Sequence, residues 1–176
     1  IMIITKTPYR ISFFGGGSDY PIWYKKFGGS VLSTTIDKYI YISCRELPPF
    51  FDHKYRIVWS KIENVKTLDE IKHLTVRKLI KYNKIKSGLE IHYDGDLPAR
   101  SGMGSSSSFS VGLMRALTNY KHKDIKGINL AYKTIYFEQK IMKEIVGSQD
   151  QMAASVGGFN KISFLKNDKI IVKKIL

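Results

Sequence analysis

The rhythm of apolar and polar positions changes along the chain and outlines its elements. Met2 to Phe14 reads as a strand that runs into a glycine corner, Gly15-Gly16-Gly17. The runs Ser30–Ile36 and Tyr39–Glu46 are β-branched and aromatic, which predicts two further strands with Asp37-Lys38 at the turn between them. Pro48-Pro49 breaks the chain, and Tyr55–Trp59 reads as a short strand. Thr67 is placed to cap a helix reaching Tyr82, with Leu68, Ile71, Val76, Leu79 and Ile80 on its apolar side. Leu89–Tyr93 alternates as a strand. A helix follows over Ser105–Tyr120, where Phe109, Leu113, Ala116 and Leu117 fall at i, i+4, i+7 and i+8. A second helix is expected over Ile128–Glu144, and a short third from Ser148 to Gly157-Gly158. Phe159–Leu165 and Lys169–Ile175 read as a closing hairpin. Strands precede helices, so the expected class is α+β rather than a doubly wound sheet. Neither a repeat nor a low-complexity linker interrupts residues 1–176, which reads as a single domain.

The helix at Ser105 begins unusually. It follows Pro98-Ala99-Arg100-Ser101-Gly102-Met103-Gly104 and opens on four serines, Ser105 to Ser108. Gly102 and Gly104 allow positive φ and close backbone approach. The first amides of a helix have no intrahelical acceptor, and the dipole adds positive potential, so this end suits a phosphate group. Serine hydroxyls can add a magnesium ligand. The stretch is not a Walker A loop, having no Gly-Lys-Ser/Thr, and Phe109 stands where a dinucleotide-binding loop wants glycine. The alternative is a flexible turn with a serine N-cap.

Two carboxylates stand out. Glu138 shares a stripe with Ile128, Ala131, Ile135, Met142 and Ile145, where a charge is costly unless paired or metal-bound. It is either a magnesium ligand or a glutamate at the edge of the stripe. Ser148 and Gln151 form a candidate capping box, which puts Asp150 in the first turn of the third helix. There it either complements the dipole or serves as a general base for a substrate hydroxyl. At the other end of the chain, Arg10 and Asp19 flank the glycine corner. They read as a surface pair at a tight loop, or as groups that orient a polyhydroxyl ligand.

Composition adds exclusions. The chain is 43% hydrophobic, enough for a core and too much for disorder. No apolar run approaches a membrane span, and the charges at Lys6 and Arg10 argue against a signal peptide, so no membrane is expected and the cytoplasm is the expected compartment. Cys44 stands alone, which excludes an intramolecular disulfide and a cysteine-based zinc site. The net charge of +14 suits polyanions, but the lysines are scattered and the aromatics are not interleaved with them as a stacking platform for nucleic acid requires. Trp23, Tyr39, Tyr41 and Trp59 are candidates for a nucleotide-base pocket or for the core.

Three stretches in order resemble the GHMP kinase superfamily: Pro8-Tyr9-Arg10 through Gly17-Ser18-Asp19-Tyr20-Pro21, Pro98 through Ser108, and Glu138 through Gly157-Gly158-Phe159. The second matches the family's P-x-x-x-G-x-G-S-S motif. The first, with its triple glycine and Ser-Asp-Tyr-Pro, looks most like the D-glycero-D-manno-heptose 7-phosphate kinase branch, with fucokinases as near neighbours. The resemblance implies a ribosomal protein S5 domain 2-like two-layer sandwich with a left-handed crossover. It implies ATP and Mg²⁺ as cofactors, with the phosphates on the backbone of Gly102, Met103, Gly104, Ser105, Ser106 and Ser107. Ser106 and Glu138 would hold the metal. Asp150 would act as base, held ionised by Arg10, while Gly16, Gly17, Ser18 and Asp19 would bind a sugar phosphate. Family members are considerably longer. A C-terminal domain that closes the cleft is thus expected outside this sequence, and turnover by this part alone is not implied. Other readings left open are a kinase for another sugar such as fucose, or a non-catalytic nucleotide- or RNA-binding module. A homodimer is also left open.

Overall fold

The computed structural model of the chain describes residues 1–98 and 101–175, so Ala99 and Arg100 of the glycine- and serine-rich loop lie outside the described residues. Two long strands carry the fold. Strand β1 spans Met2–Phe14, and β2 spans Gly29–Glu46 as one continuous strand of 18 residues. They pair antiparallel along most of their length. The turn expected at Asp37-Lys38 does not form. The register instead shifts from Pro8↔Tyr39 to Arg10↔Thr35, so residues 36–38 bulge out of the ladder while the strand continues.

That irregularity re-aims side chains. On β1, Thr5, Thr7 and Tyr9 are buried at odd positions, yet the next inward contact comes from Arg10, immediately after Tyr9. On β2 the buried positions change from Val31 and Ser33 to Ile40, Ile42 and Cys44, so the alternation changes parity there as well.

Between the long strands lies a short helix, α1 (Pro21–Phe27), which the sequence reading missed. Proline at its first position fixes the helical φ where no amide donor is needed. The glycine corner ahead of it packs on the start of β2. Ser18 Oγ donates to Gly15 O (2.7 Å), and the Ser30 amide donates to Ser18 Oγ (3.1 Å).

The C-terminal half of β2 pairs with β5 (Leu89–Gly95), which pairs in parallel with β3 (Tyr55–Val58). β3 in turn forms a hairpin with β4 (Ile62–Val65), a strand the sequence reading also missed. The N-terminal half of β2 pairs with β6 (Phe159–Phe164), which closes on β7 (Ile170–Lys174). The helix expected over residues 67–82 is divided. A capping box of Thr67 and Glu70 closes a 3₁₀ turn over Leu68–Glu70, and α2 starts afresh over Leu74–Tyr82. The cause is tertiary. The buried Glu63 carboxylate on β4 accepts the amides of Lys72 (2.5 Å) and His73 (3.2 Å), removing them from any helix ladder.

Helix α3 (Ser105–Tyr120) lies on β1, with Thr5 Oγ1 donating to Gly112 O (3.1 Å) and Ser108 Oγ to Pro8 O (2.9 Å). Helix α4 covers Gly127–Tyr136 and changes into a π-helical segment over Phe137–Met142, where one long α-helix was expected. The expected stripe holds from Ala131 through Ile135 to Glu138, all buried, but the helix ends at Lys143 in the left-handed region, which leaves Ile145 outside it and exposed. Helix α5 (Gln149–Val156) completes the helical layer. One apolar cluster joins α2 and α3 to the β2–β5 half of the sheet, and another joins α4 and α5 to β6 and β7. The arrangement is α+β, as expected. Cys44 is buried, which pushes its thiol up to about 12. Among the described residues no helix is long and apolar enough to cross a membrane.

The seat of the glycine corner is tight. A Cβ at Gly29 would lie 2.0 Å from the carbonyl oxygen of Ser18. Gly29→Ala is therefore expected to cost about 2 kcal/mol or more, because backbone rather than a side chain must yield. Urea unfolding checks this as a lowered midpoint with an unchanged slope.

Candidate functional site

The start of α3 is shaped for an anion. Gly102 and Gly104 both hold positive φ, 75° and 73°, and Gly104 forms the N-cap in the left-handed region. No side chain caps the helix here. The amides of its first turn thus lack side-chain partners, with Ser105 and Ser106 on the accessible side and Ser107 turned inward. Met103 packs its side chain against the core.

Arg10 ties this loop to α5. Its amide donates to Met103 O (3.2 Å), Nη1 to Gly102 O (2.9 Å) and Nε to Asp150 Oδ1 (2.7 Å). The ion pair is largely buried, with 12% of the Arg10 side chain and 24% of the Asp150 side chain exposed. Asp150 sits against the glycine loop before α3 so closely that a Cβ at Gly104 would stand 3.2 Å from its Oδ2. Burial raises the Asp150 pKa, and Arg10 opposes it only in part, so the carboxyl binds its proton more tightly than a free aspartate. Arg10 favours the ionised form, as anticipated, but desolvation is the larger effect.

Glu138, 1% exposed, opens the π segment and points to the first turns of α3 and α5. Ser107 Oγ donates to its Oε2 (3.1 Å), and Gln151 Nε2 donates to the same oxygen. Its other oxygen, Oε1, has no partner. Burial raises its pKa, and hydrogen bonds from Ser110, Gln151 and Ser107 work against that rise. The hydroxyls beside Glu138 are thus those of Ser107 and Ser110, while Ser106 is exposed. An unpartnered buried carboxylate oxygen next to serine hydroxyls fits a hard divalent cation. Among the described residues no group of three or more His, Cys, Asp or Glu side chains gathers to hold a metal by itself.

The capping box expected between Ser148 and Gln151 is absent. Ser148 Oγ takes a bond from Gln139 Nε2 (3.1 Å), and Gln151 is spent on Glu138. The cap comes from Asp19 instead, whose Oδ2 accepts the Gln149 amide (3.1 Å). Gly16 and Gly17 of the corner lie near, and Gly17 donates its amide to Asp19 Oδ1 (3.1 Å). Ser18 uses its hydroxyl on Gly15 and Ser30. Between the corner and the glycine loop before α3 opens a cleft of about 590 Å³, lined by Arg10, Ser12, Phe14, Gly16, Gly102 and Gln149 among others. The structure therefore gathers Arg10, Asp150, Gly102–Gly104 and the corner. Glu138 meets Ser107 of the first turn of α3 and Gln151 of α5. Gln149 was missed, while Ser107 and Gln151, expected at the phosphates and in a capping box, contact Glu138. Three polar residues in succession on a turn entering the core were the available signal.

The four aromatic candidates divide. Trp59 packs on His73 (4.9 Å), which stacks on Phe109 of α3 (5.1 Å). Tyr39 holds the ammonium of Lys6 at 3.7 Å, Tyr41 lies beside Tyr39, and Trp23 is half exposed against Phe27.

This fold is that of a small-molecule kinase domain. Residues 69–158 match the family described as GHMP kinases N terminal domain, and the chain belongs to that family. It is 31% identical to the D-glycero-alpha-D-manno-heptose 7-phosphate kinase of Campylobacter jejuni subsp. jejuni, over 98% of this chain and 54% of that protein. It is 25% identical to the galactokinase of Pyrococcus furiosus, over 93% of this chain and 46% of that one. The chain thus spans about half the length of these curated relatives. Among solved structures it superposes on a D-glycero-D-manno-heptose 1-phosphate kinase from Bacteroides thetaiotaomicron with a TM-score of 0.87, at 25% identity, covering 98% of this chain and 59% of that one.

The raised pKa of Glu138 has a thermodynamic sign. The folded state holds this proton at pH values where the unfolded chain has released it, so stability falls as pH rises from the unfolded carboxylate range through the folded value. Glu138→Gln is expected to raise the melting temperature at pH 7 by a few degrees, at about 2–4 °C per kcal/mol, and to lose that advantage near pH 4. Thermal melts of both proteins across that range check it.

Proposed function

We propose that this chain is the nucleotide-binding half of an ATP-dependent kinase. It moves the γ-phosphoryl group onto the anomeric hydroxyl of D-glycero-D-manno-heptose 7-phosphate, giving the 1,7-bisphosphate. The observation that carries this reading is the Arg10–Asp150 pair, 2.7 Å apart and set directly against Gly102–Gly104. It puts a base candidate beside the helix start that suits phosphates. The 31% identity to a protein of that name in Campylobacter jejuni supports the choice of acceptor.

In this reading the acceptor lies in the cleft, against the backbone of Gly16 and Gly17, and its hydroxyl proton passes to Asp150. The freed oxygen bonds to the γ-phosphorus of ATP as the bond to ADP breaks. The amides from Gly102 to Ser107 hold the phosphates, and the α3 dipole favours their charge. Arg10 keeps Asp150 aimed through Oδ1 and offers positive charge where negative charge develops. The raised pKa of Asp150 suits a base that must bind a proton during transfer. Mg²⁺ would be held by Glu138, through its unpartnered oxygen, and by Ser106 or its neighbour Ser107, and it supplies charge neutralisation on the phosphates.

Asp150→Asn in the full-length protein is expected to lower kcat by about 10²–10⁴-fold while leaving ATP binding intact. Retained turnover would remove Asp150 as the base. Because the base must be ionised, kcat in the parent should fall as the pH drops through a value above the ordinary aspartate range. Calorimetric titration with ATP, with and without Mg²⁺, checks the nucleotide site. Affinity that depends on Mg²⁺ and weakens in both Ser106→Ala and Glu138→Ala is the expected result. A panel of sugars and sugar phosphates then tests the acceptor.

A further inference from the structure

We propose that Asp19 is a positioning residue, which fixes the first turn of α5, and so the place of Asp150, rather than contacting the acceptor. The inference rests on the kinase reading above. Helix α5 begins without a side-chain cap from Ser148, whose hydroxyl accepts from Gln139. Asp19 supplies that cap from 130 residues upstream, accepting the Gln149 amide on Oδ2 at 3.1 Å. A carboxylate at this end is favoured by the free amide and by the dipole. Its other oxygen accepts the side-chain amide of Gln149 (3.3 Å) and the Gly17 amide (3.1 Å). The main chain adds a fourth link, from the Ser148 amide to Asp19 O (3.1 Å).

With both oxygens engaged and 1% of the residue exposed, little of Asp19 is left for a sugar hydroxyl. The surroundings are built around it. A Cβ at Gly147 would lie 1.8 Å from Asp19 Oδ2, so the loop before α5 passes the carboxylate at a distance only glycine allows. Asp150 is the next residue after the capped Gln149. A shift of this turn moves Asp150 against Arg10, its partner from β1. Arg10 and Asp19 are the charged groups that act on Asp150. Displacements of about 1 Å at such a group cost on the order of 10²-fold in rate.

The test is steady-state kinetics on the full-length kinase carrying Asp19→Ala, Asp19→Asn or Gly147→Ala, beside hydrogen exchange at the Gln149 amide in the same proteins. The expected result is a fall in kcat of about 10- to 100-fold, with the acceptor KM held within about two-fold. Asp19→Asn, which keeps one acceptor oxygen, should be the mildest. Gly147→Ala, which keeps the carboxylate but displaces it, should resemble Asp19→Ala. The Gln149 amide should exchange faster in all three. A raised acceptor KM with kcat preserved would overturn the proposal and assign Asp19 to the acceptor. Unchanged exchange at Gln149 would overturn it as well. A parent enzyme that phosphorylates no sugar would instead overturn the kinase reading, and the exchange measurement would still decide whether Asp19 sets the α5 turn. Should Asp19→Ala fail to fold, Asp19→Asn decides.

Discussion

The first turn of α5 joins segments that are far apart in the chain. Gln149 binds Asp19 of the glycine corner, Asp150 binds Arg10 of β1, and Gln151 binds Glu138 of the π segment. Three consecutive residues therefore hold three separate elements, and each bond crosses a different direction from one helix end. The turn can do this because its amide needs an acceptor that no local residue provides. Arg10 then carries the link onward, since its remaining donors grip Gly102 and its amide meets Met103. The position of the glycine loop before α3 is thus tied, through one arginine, to the helix that bears the proposed base.

This arrangement stores electrostatic cost in the site. Glu138 and Asp150 are both raised by burial, and only Asp150 has a cation beside it. Folding alone would favour a neutral residue at Glu138, whose free oxygen has lost water without gaining a partner. A phosphate-bound cation would repay part of that cost. The net charge of +14 does not enter these contacts directly, since Arg10 is the cation that acts on Asp150.

Backbone irregularity serves the same geometry. The register shift near Pro8 lets Tyr9 and Arg10 both face inward, one into the core and one into the site. Glu138 keeps the inward place that a regular helix would give it, while Gln139, the next residue in the π segment, turns to Ser148 and Val146 ahead of α5. A regular strand would present only one of the neighbours Tyr9 and Arg10 to this side.

The sequence by itself determined the α+β order, the extents of β1, α3 and the closing hairpin, and the family through three motifs in order. These depend on local rhythm and on residue types that few other conformations use, such as glycines before a serine-rich helix start. Tertiary structure decided the rest. Asp37-Lys38 reads locally as a turn, but pairing with β1 on both sides of it keeps β2 extended. Thr67 caps what it should, yet Glu63 takes the next amides and ends the helix after one turn. Ser148 and Gln151 have the spacing of a capping box, but each bonds to the π segment instead, and Asp19 takes the Gln149 amide. In each case the deciding partner lies in another element, 9 residues away for Ser148 and Gln139 and 130 for Asp19 and Gln149, and spacing within a segment carries no record of such a partner.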